Sequence, residues 1–217
     1  MFFEPAQTSG PPWGYASRMM TDEHAPPLSV EEQDRDHAQR VAARRETLDE
    51  AAVELSKIRA VQDATLSHDL SVAERITKLG FDEHTAKVFD LVPLIHVAWA
   101  DGEVQKQERS AIYEIMSARG LTSSSEGWVM VDGLLASPPS EALLTELLEV
   151  FRDLVRDDTR RIEVMVDLCV VVAEQHGKLL GIFGDPIDAK ERESLSQIAG
   201  LLGDRATAWL KAKLGEL

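Results

Sequence analysis

The residues whose types and spacing could do chemistry in this sequence are mostly carboxylates. Asp101-Gly102-Glu103 is followed by Glu108, and His176-Gly177 is followed by Asp185, Asp188 and Glu191. Two or three carboxylates with exposed carbonyls offer the oxygen-rich shell that Ca2+ or Mg2+ prefers. His176 with Asp185, Asp188 and Glu191 makes a mixed nitrogen and oxygen set, better suited to a transition metal. The candidate metal ligands are therefore Asp101, Glu103, Glu108, His176, Asp188 and Glu191. The candidate cofactor is a divalent ion: Ca2+, Mg2+ or a transition metal. An EF-hand is excluded, because the Asp-x-(Asp/Asn)-x-(Asp/Asn)-Gly spacing is absent around Asp101-Gly102.

The same residues admit a purely structural role. Asp188-Ala-Lys-Glu191 has the spacing of a capping box, in which a glutamate at the third helical position folds back onto the cap residue's backbone N–H. Gln105-Lys-Gln-Glu108 occupies the same place with a poorer cap residue. Asp101 falls at the C-terminal end of an apolar helical pattern, where the helix dipole is negative and an aspartate is unfavourable unless compensated. Either Gly102 turns the chain so that the Asp101 carboxylate meets the free N–H groups of the helix starting near Lys106, or a cation sits between Asp101, Glu108 and Glu103.

Other reactive groups are scattered. His24, His37, His68 and His84 lie in tail or surface-like segments, and His96 interrupts an apolar helix face as a hydrogen-bonded core histidine would. The sequence contains no Gly-rich phosphate loop, CxxC pair, HExxH or nucleophile elbow, so no enzyme is expected. Cys169 is the only cysteine. It excludes an intrachain disulfide, and its apolar neighbours predict a buried reduced thiol, which fits a cytoplasmic protein. A net charge of -15 works against nucleic acid, whose binding needs Lys and Arg to release counterions, and favours cations or a basic protein partner. The first residues lack the features of a signal peptide, and no apolar run approaches the roughly 18 residues needed to span a bilayer, so an integral membrane protein is not expected.

The elements that must position these residues are helical throughout. Residues 1–30, rich in Pro, Gly, Ser and Met, read as a disordered tail. Residues 31–80 read as a charged helical extension. Within it, Val41, Leu48 and Leu55 at heptad spacing, with Ala51 and Ile58 beside them, suit either docking on the domain or a homodimer through residues 31–65. Ser71-Val-Ala-Glu74 has capping-box spacing, and Gly80 suits the end of a short helix. Residues 81–217 read as a compact all-α domain. Pro93 kinks its first helix or opens the second part of it. Further helices carry Ile112 to Met116, Trp128 to Leu134 after a serine loop, and Leu143 to Phe151 after Ser137-Pro-Pro-Ser140. A helix opened by Asp157 or Asp158 holds Ile162 to Ala173 and is the most apolar, hence the most central. Two more run over about 188–202 and 204–214.

Two stretches of this domain match in register. Leu91, Ile95, Ala98 and Gly102 lie 75 positions before Val166, Val170, Ala173 and Gly177. Val104, Glu108, Arg109, Ile112, Ile115 and Gly120 lie 83 positions before Ile187, Glu191, Arg192, Leu195, Ile198 and Gly203. The offsets differ by 8 residues, an insertion at about 178–185 that predicts an elaborated turn. Val97-Ala98-Trp99-Ala100-Asp101-Gly102-Glu103-Val104 followed by Glu108 resembles the helix-ending signature of the TerB-like (tellurite-resistance protein B) family. Val172 to Gly177, with Ile187 and Glu191, resembles a degenerate second occurrence that carries His176 in place of an aspartate. The resemblance covers about residues 82–217. It implies a bundle of about seven helices with pseudo-twofold halves, an acidic surface able to hold divalent metal, and a non-enzymatic role in bacterial stress response or tellurite resistance. Relatives in envelope-associated scaffolds and at the head of a co-chaperone imply the alternative, a metal-free protein–protein interaction module.

Overall fold

The computed structural model of the protein describes residues 29–179 and 187–215, and side chains up to residue 175 in the first of these spans. The expected tail lies, up to residue 28, outside the described residues, as does the expected elaborated turn from residue 180 onward. Among the described residues the secondary structure is entirely helical: α1 Val30–Thr65, α2 Leu70–Lys78, a 3-10 turn Ala86–Leu91, α3 Val92–Ala98, α4 Lys106–Ala118, α5 Glu126–Ala136, α6 Glu141–Val155, α7 Thr159–Leu179, α8 Ala189–Leu202 and α9 Asp204–Leu214.

Most boundaries follow from local chemistry. Ser125 accepts a hydrogen bond from Trp128 N–H at the start of α5, and Ser140 accepts one from Leu143 N–H at the start of α6. The Asp158 carboxylate accepts from Arg161 N–H at 2.9 Å and opens α7. Pro93 sits in the first turn of α3, where it lacks no bond the helix needs, so it begins a new helix rather than bending the old one. Two expectations are corrected. The cap of α2 is Asp69, whose carboxylate accepts from Ser71 N–H at 2.8 Å, and not Ser71 itself; a carboxylate placed two residues earlier outcompetes the serine for the free N–H groups. The second correction concerns α7, which continues through His176-Gly177 to Leu179. Glycine permits a chain reversal without imposing one.

The chain divides into two compact units, Met1–Thr47 and Leu48–Leu217. In the first, the described helical residues are exposed apart from the half-buried Asp36. In the second, α1 and α2, both assigned by sequence to the extension, supply Ile58, Val61, Val72, Ala73 and Ile76 to the core. The second unit thus includes the buried end of α1 and all of α2. Arg75 on α2 pairs with Asp153 on α6 at 2.6 Å, and Arg161 on α7 reaches both the Thr65 carbonyl and Asp90.

The centre of this unit is α3 with α7. Of the seven residues in α3 only His96 is not fully buried, and α7 packs against α3, α4, α6, α8 and α9. That placement fits the apolar content of α7, whose Met165, Val166, Cys169, Val172 and Ala173 are buried. Burial pushes the Cys169 thiol far above its usual range, so it stays a thiol and packs as a small apolar group. At the far end, Trp209 on α9 donates its indole N–H to Asp167 on α7 at 2.8 Å.

Candidate functional site

The two acidic segments become the starts of α4 and α8. Before α8, Asp188 is extended, its carboxylate accepts from Glu191 N–H at 2.8 Å, and the Glu191 carboxylate accepts from Asp188 N–H at 2.8 Å. Before α4, Gln105 takes the cap position and its N–H donates to the Glu108 carboxylate at 2.8 Å. Both are capping boxes, which satisfy backbone N–H groups that a helix start leaves without an intrahelical partner. Each glutamate is only 2% exposed.

Asp101 lies three residues past the end of α3, in the turn that Gly102 closes with φ 95°. Its carboxylate accepts from Glu103 N–H at 3.0 Å, a local Asx turn. The expectation that it would cap the start of α4 is therefore not met, because Glu108 and Gln105 already serve that start. Glu103 lends its N–H to this turn and its residue is exposed. Lys190, which the sequence reading passed over, brings its Nζ to 3.5 Å from the Asp101 carbonyl, the long end of hydrogen-bond distance. Its only signal in the sequence is its place inside Asp188-Ala-Lys-Glu191, between two carboxylates.

Electrostatics tie the two turns together. Burial pushes the Glu108 carboxyl up to about 8 from an ordinary value of 4.5. The Gln105 N–H pulls it back, while the carboxylates of Glu191, Asp101 and Asp188 push it further up. Three other candidate ligands, Asp101, Asp188 and Glu191, thus lie close enough to act on Glu108. Glu103 is not among the groups acting on Glu108, and the side chain of His176 lies outside the described residues, as does Asp185. Among the described residues, no group of three or more His, Cys, Asp or Glu side chains has the arrangement to hold a metal ion.

Comparison with protein-family models, with curated proteins and with solved structures gives no match. The chemistry of the site is therefore argued from its own geometry. Glu108 spends one oxygen on a backbone N–H and is neutral for about half the time near pH 8. Such a group can accept and donate hydrogen bonds inside the fold, but with 2% exposure it offers little to a ligand arriving from water. Among the described residues no helix is long and apolar enough to cross a membrane.

Proposed function

We propose that this chain is a non-enzymatic, cytoplasmic helical module of the bacterial stress-response type, TerB-like in its arrangement, which works by meeting a basic protein partner without a resident metal. The observation that carries this reading is that both glutamates of the paired turns are engaged in capping boxes. The carboxylates nominated as ligands hold α4 and α8 in place instead. The matched positions on α3–α4 and α7–α8, the seven α-helices from α3 to α9, and the net charge of -15 support the arrangement and the sign of the partner.

A second reading keeps the divalent metal. It is favoured by one observation: Glu191, Asp101 and Asp188 all raise the Glu108 pKa, and a dication among them would relieve that repulsion. The full ligand set would then be Asp101, Glu103, Glu108, His176, Asp188 and Glu191, with Ca2+, Mg2+ or a transition metal.

Calorimetric titration with Ca2+, Mg2+, Mn2+ and Zn2+ separates the two. The metal-free module predicts no saturable binding below the millimolar range for the full chain. Saturable binding that Asp101→Asn removes would overturn it in favour of the metal. For the partner, capture that weakens with rising salt and survives Asp101→Asn, but is lost on deleting residues 31–47, which contribute nothing to the core, fits the module; the reverse pattern refutes it.

A further inference from the structure

A second polar feature of the same unit adjoins the α8 capping box and draws Lys190 from within it. Between α3, α6 and α8 lies a cleft of about 390 Å³. Trp99 and Leu144 line it with apolar surface, and the Trp99 ring is fixed by its indole N–H, which donates to the Leu134 carbonyl at 3.0 Å. The remaining lining is polar, and most of it comes from one face of α8. Lys190, Ser194 and Gln197 stand at the i, i+4, i+7 spacing of a single helix stripe.

Ser194 is the group without a structural explanation. It is 4% exposed, and its buried hydroxyl has no hydrogen-bond partner among the described residues. An unmet buried hydroxyl costs free energy that a bound acceptor would recover. His96, opposite on α3, is held below its ordinary pKa by burial, against the opposing effect of a hydrogen bond with the Gln197 side chain. A neutral imidazole carries one ring N–H donor. Lys190 adds an ammonium group.

We propose that this cleft binds a monoanionic carboxylate carried on a short apolar or aromatic body, with Lys190 and His96 donating to the carboxylate, the Ser194 hydroxyl joining them once it turns toward the cleft, and Trp99 and Leu144 meeting the body. A phosphate is disfavoured on charge. Among the described residues only one ammonium lines it, Glu193 also lines the cleft, and the whole chain is at -15, so each added negative charge on the ligand meets repulsion without a matching cation. The volume lies near the lower end of ordinary ligand clefts and suits a small acid or a single peptide terminus. Free acids and peptide C-termini share this chemistry.

The test is an NMR titration of the full 15N-labelled chain with phenylacetate, phenylacetamide, and the tripeptide Gly-Gly-Phe with free or amidated C-terminus. At least one acid should give saturable shifts concentrated at residues 96–100 and 190–197. The amides, and Lys190→Met with either acid, should bind at least tenfold more weakly, and Ser194→Ala severalfold more weakly with the rest of the spectrum unchanged. Saturation by phenylacetate identifies a free small acid, and saturation by the free tripeptide alone identifies a peptide terminus. No saturation by either acid, equal binding of acid and amide, or unchanged affinity in Lys190→Met overturns the proposal. None of these results depends on a metal.

Discussion

The starts of α4 and α8 use the same device with different parts. Each has a glutamate at the third helical position, 2% exposed and bonded back to the cap residue. The α8 cap is Asp188, a strong acceptor, whereas the α4 cap is Gln105, a weak one, and an extra aspartate, Asp101, stands a few residues upstream in a turn of its own. Upstream of α8 the matching position, His176, lies inside α7 rather than in a turn. The shared part is structural, because a buried helix start must satisfy its N–H groups wherever it occurs. What differs is the cap residue and the added aspartate upstream of α4. Burial is the chief cause that raises Glu108, and the carboxylates of Glu191, Asp101 and Asp188 add to it.

The comparison can be broken or sharpened by substitution. The largest effects test whether the two helices anchor equally in the core. Ile112 on α4 is fully buried and Leu195 on α8 is 2% exposed. Ile112→Ala and Leu195→Ala should each cost about 3 kcal/mol in urea unfolding. A cost below about 1 kcal/mol for either would show that its helix is not packed as described.

Next comes the charge at Glu108. Its folded pKa of about 8 exceeds the unfolded value of 4.5, so the folded state binds the extra proton between those values. Stability from this group is fully present below about pH 4.5 and is lost as pH rises through 8. Glu108→Gln keeps an acceptor for Gln105 N–H but cannot ionise. It should flatten this slope and stabilise the protein at pH 8 by about 3 kcal/mol relative to pH 5, read from urea midpoints at the two pH values. An unchanged slope would mean that Glu108 is already ionised at neutral pH, as a bound cation would make it.

A smaller contrast separates the caps. Asp188→Ala should cost about 1 kcal/mol, the usual loss for an aspartate cap, while Gln105→Ala should cost only about 0.3 kcal/mol, both by thermal unfolding at pH 7. Equal costs would erase the distinction drawn between the two starts. The smallest effect belongs to Asp101→Asn. Asparagine preserves an oxygen acceptor for Glu103 N–H, so the turn should survive with a change within about 0.5 kcal/mol in the same measurement. A larger loss would show that the Asp101 charge itself is structural.

Legibility in the sequence followed the range of the interaction. The helix from 31 to 65, the stop at Gly80, the cap at Ser140, the opening at one of Asp157 and Asp158 and the Asp188–Glu191 box were readable because each depends on groups three or four residues apart. Asp69 was missed in favour of Ser71 for a local reason, since both stood within reach of the same N–H groups. Burial of α2 was not readable, because Val72, Ala73 and Ile76 are covered by elements that include α6, some 70 residues further along. The cleft was missed likewise. Its His96 and Trp99 lie about 95 residues from Lys190, Ser194 and Gln197, and only the helical stripe on α8 was visible in advance.

By itself, then, the sequence determined an all-helical chain, the ends of most helices and the identity of the capping glutamates, because hydrogen bonds between neighbours along the chain decide those. Tertiary structure alone decided that the two glutamates are buried within range of each other's charge, that Asp101 and His176 occupy unlike settings, and that a lysine, a histidine and an unpartnered serine hydroxyl share one cleft. Burial and electrostatic proximity depend on which distant segments pack together, and no local pattern encodes that choice.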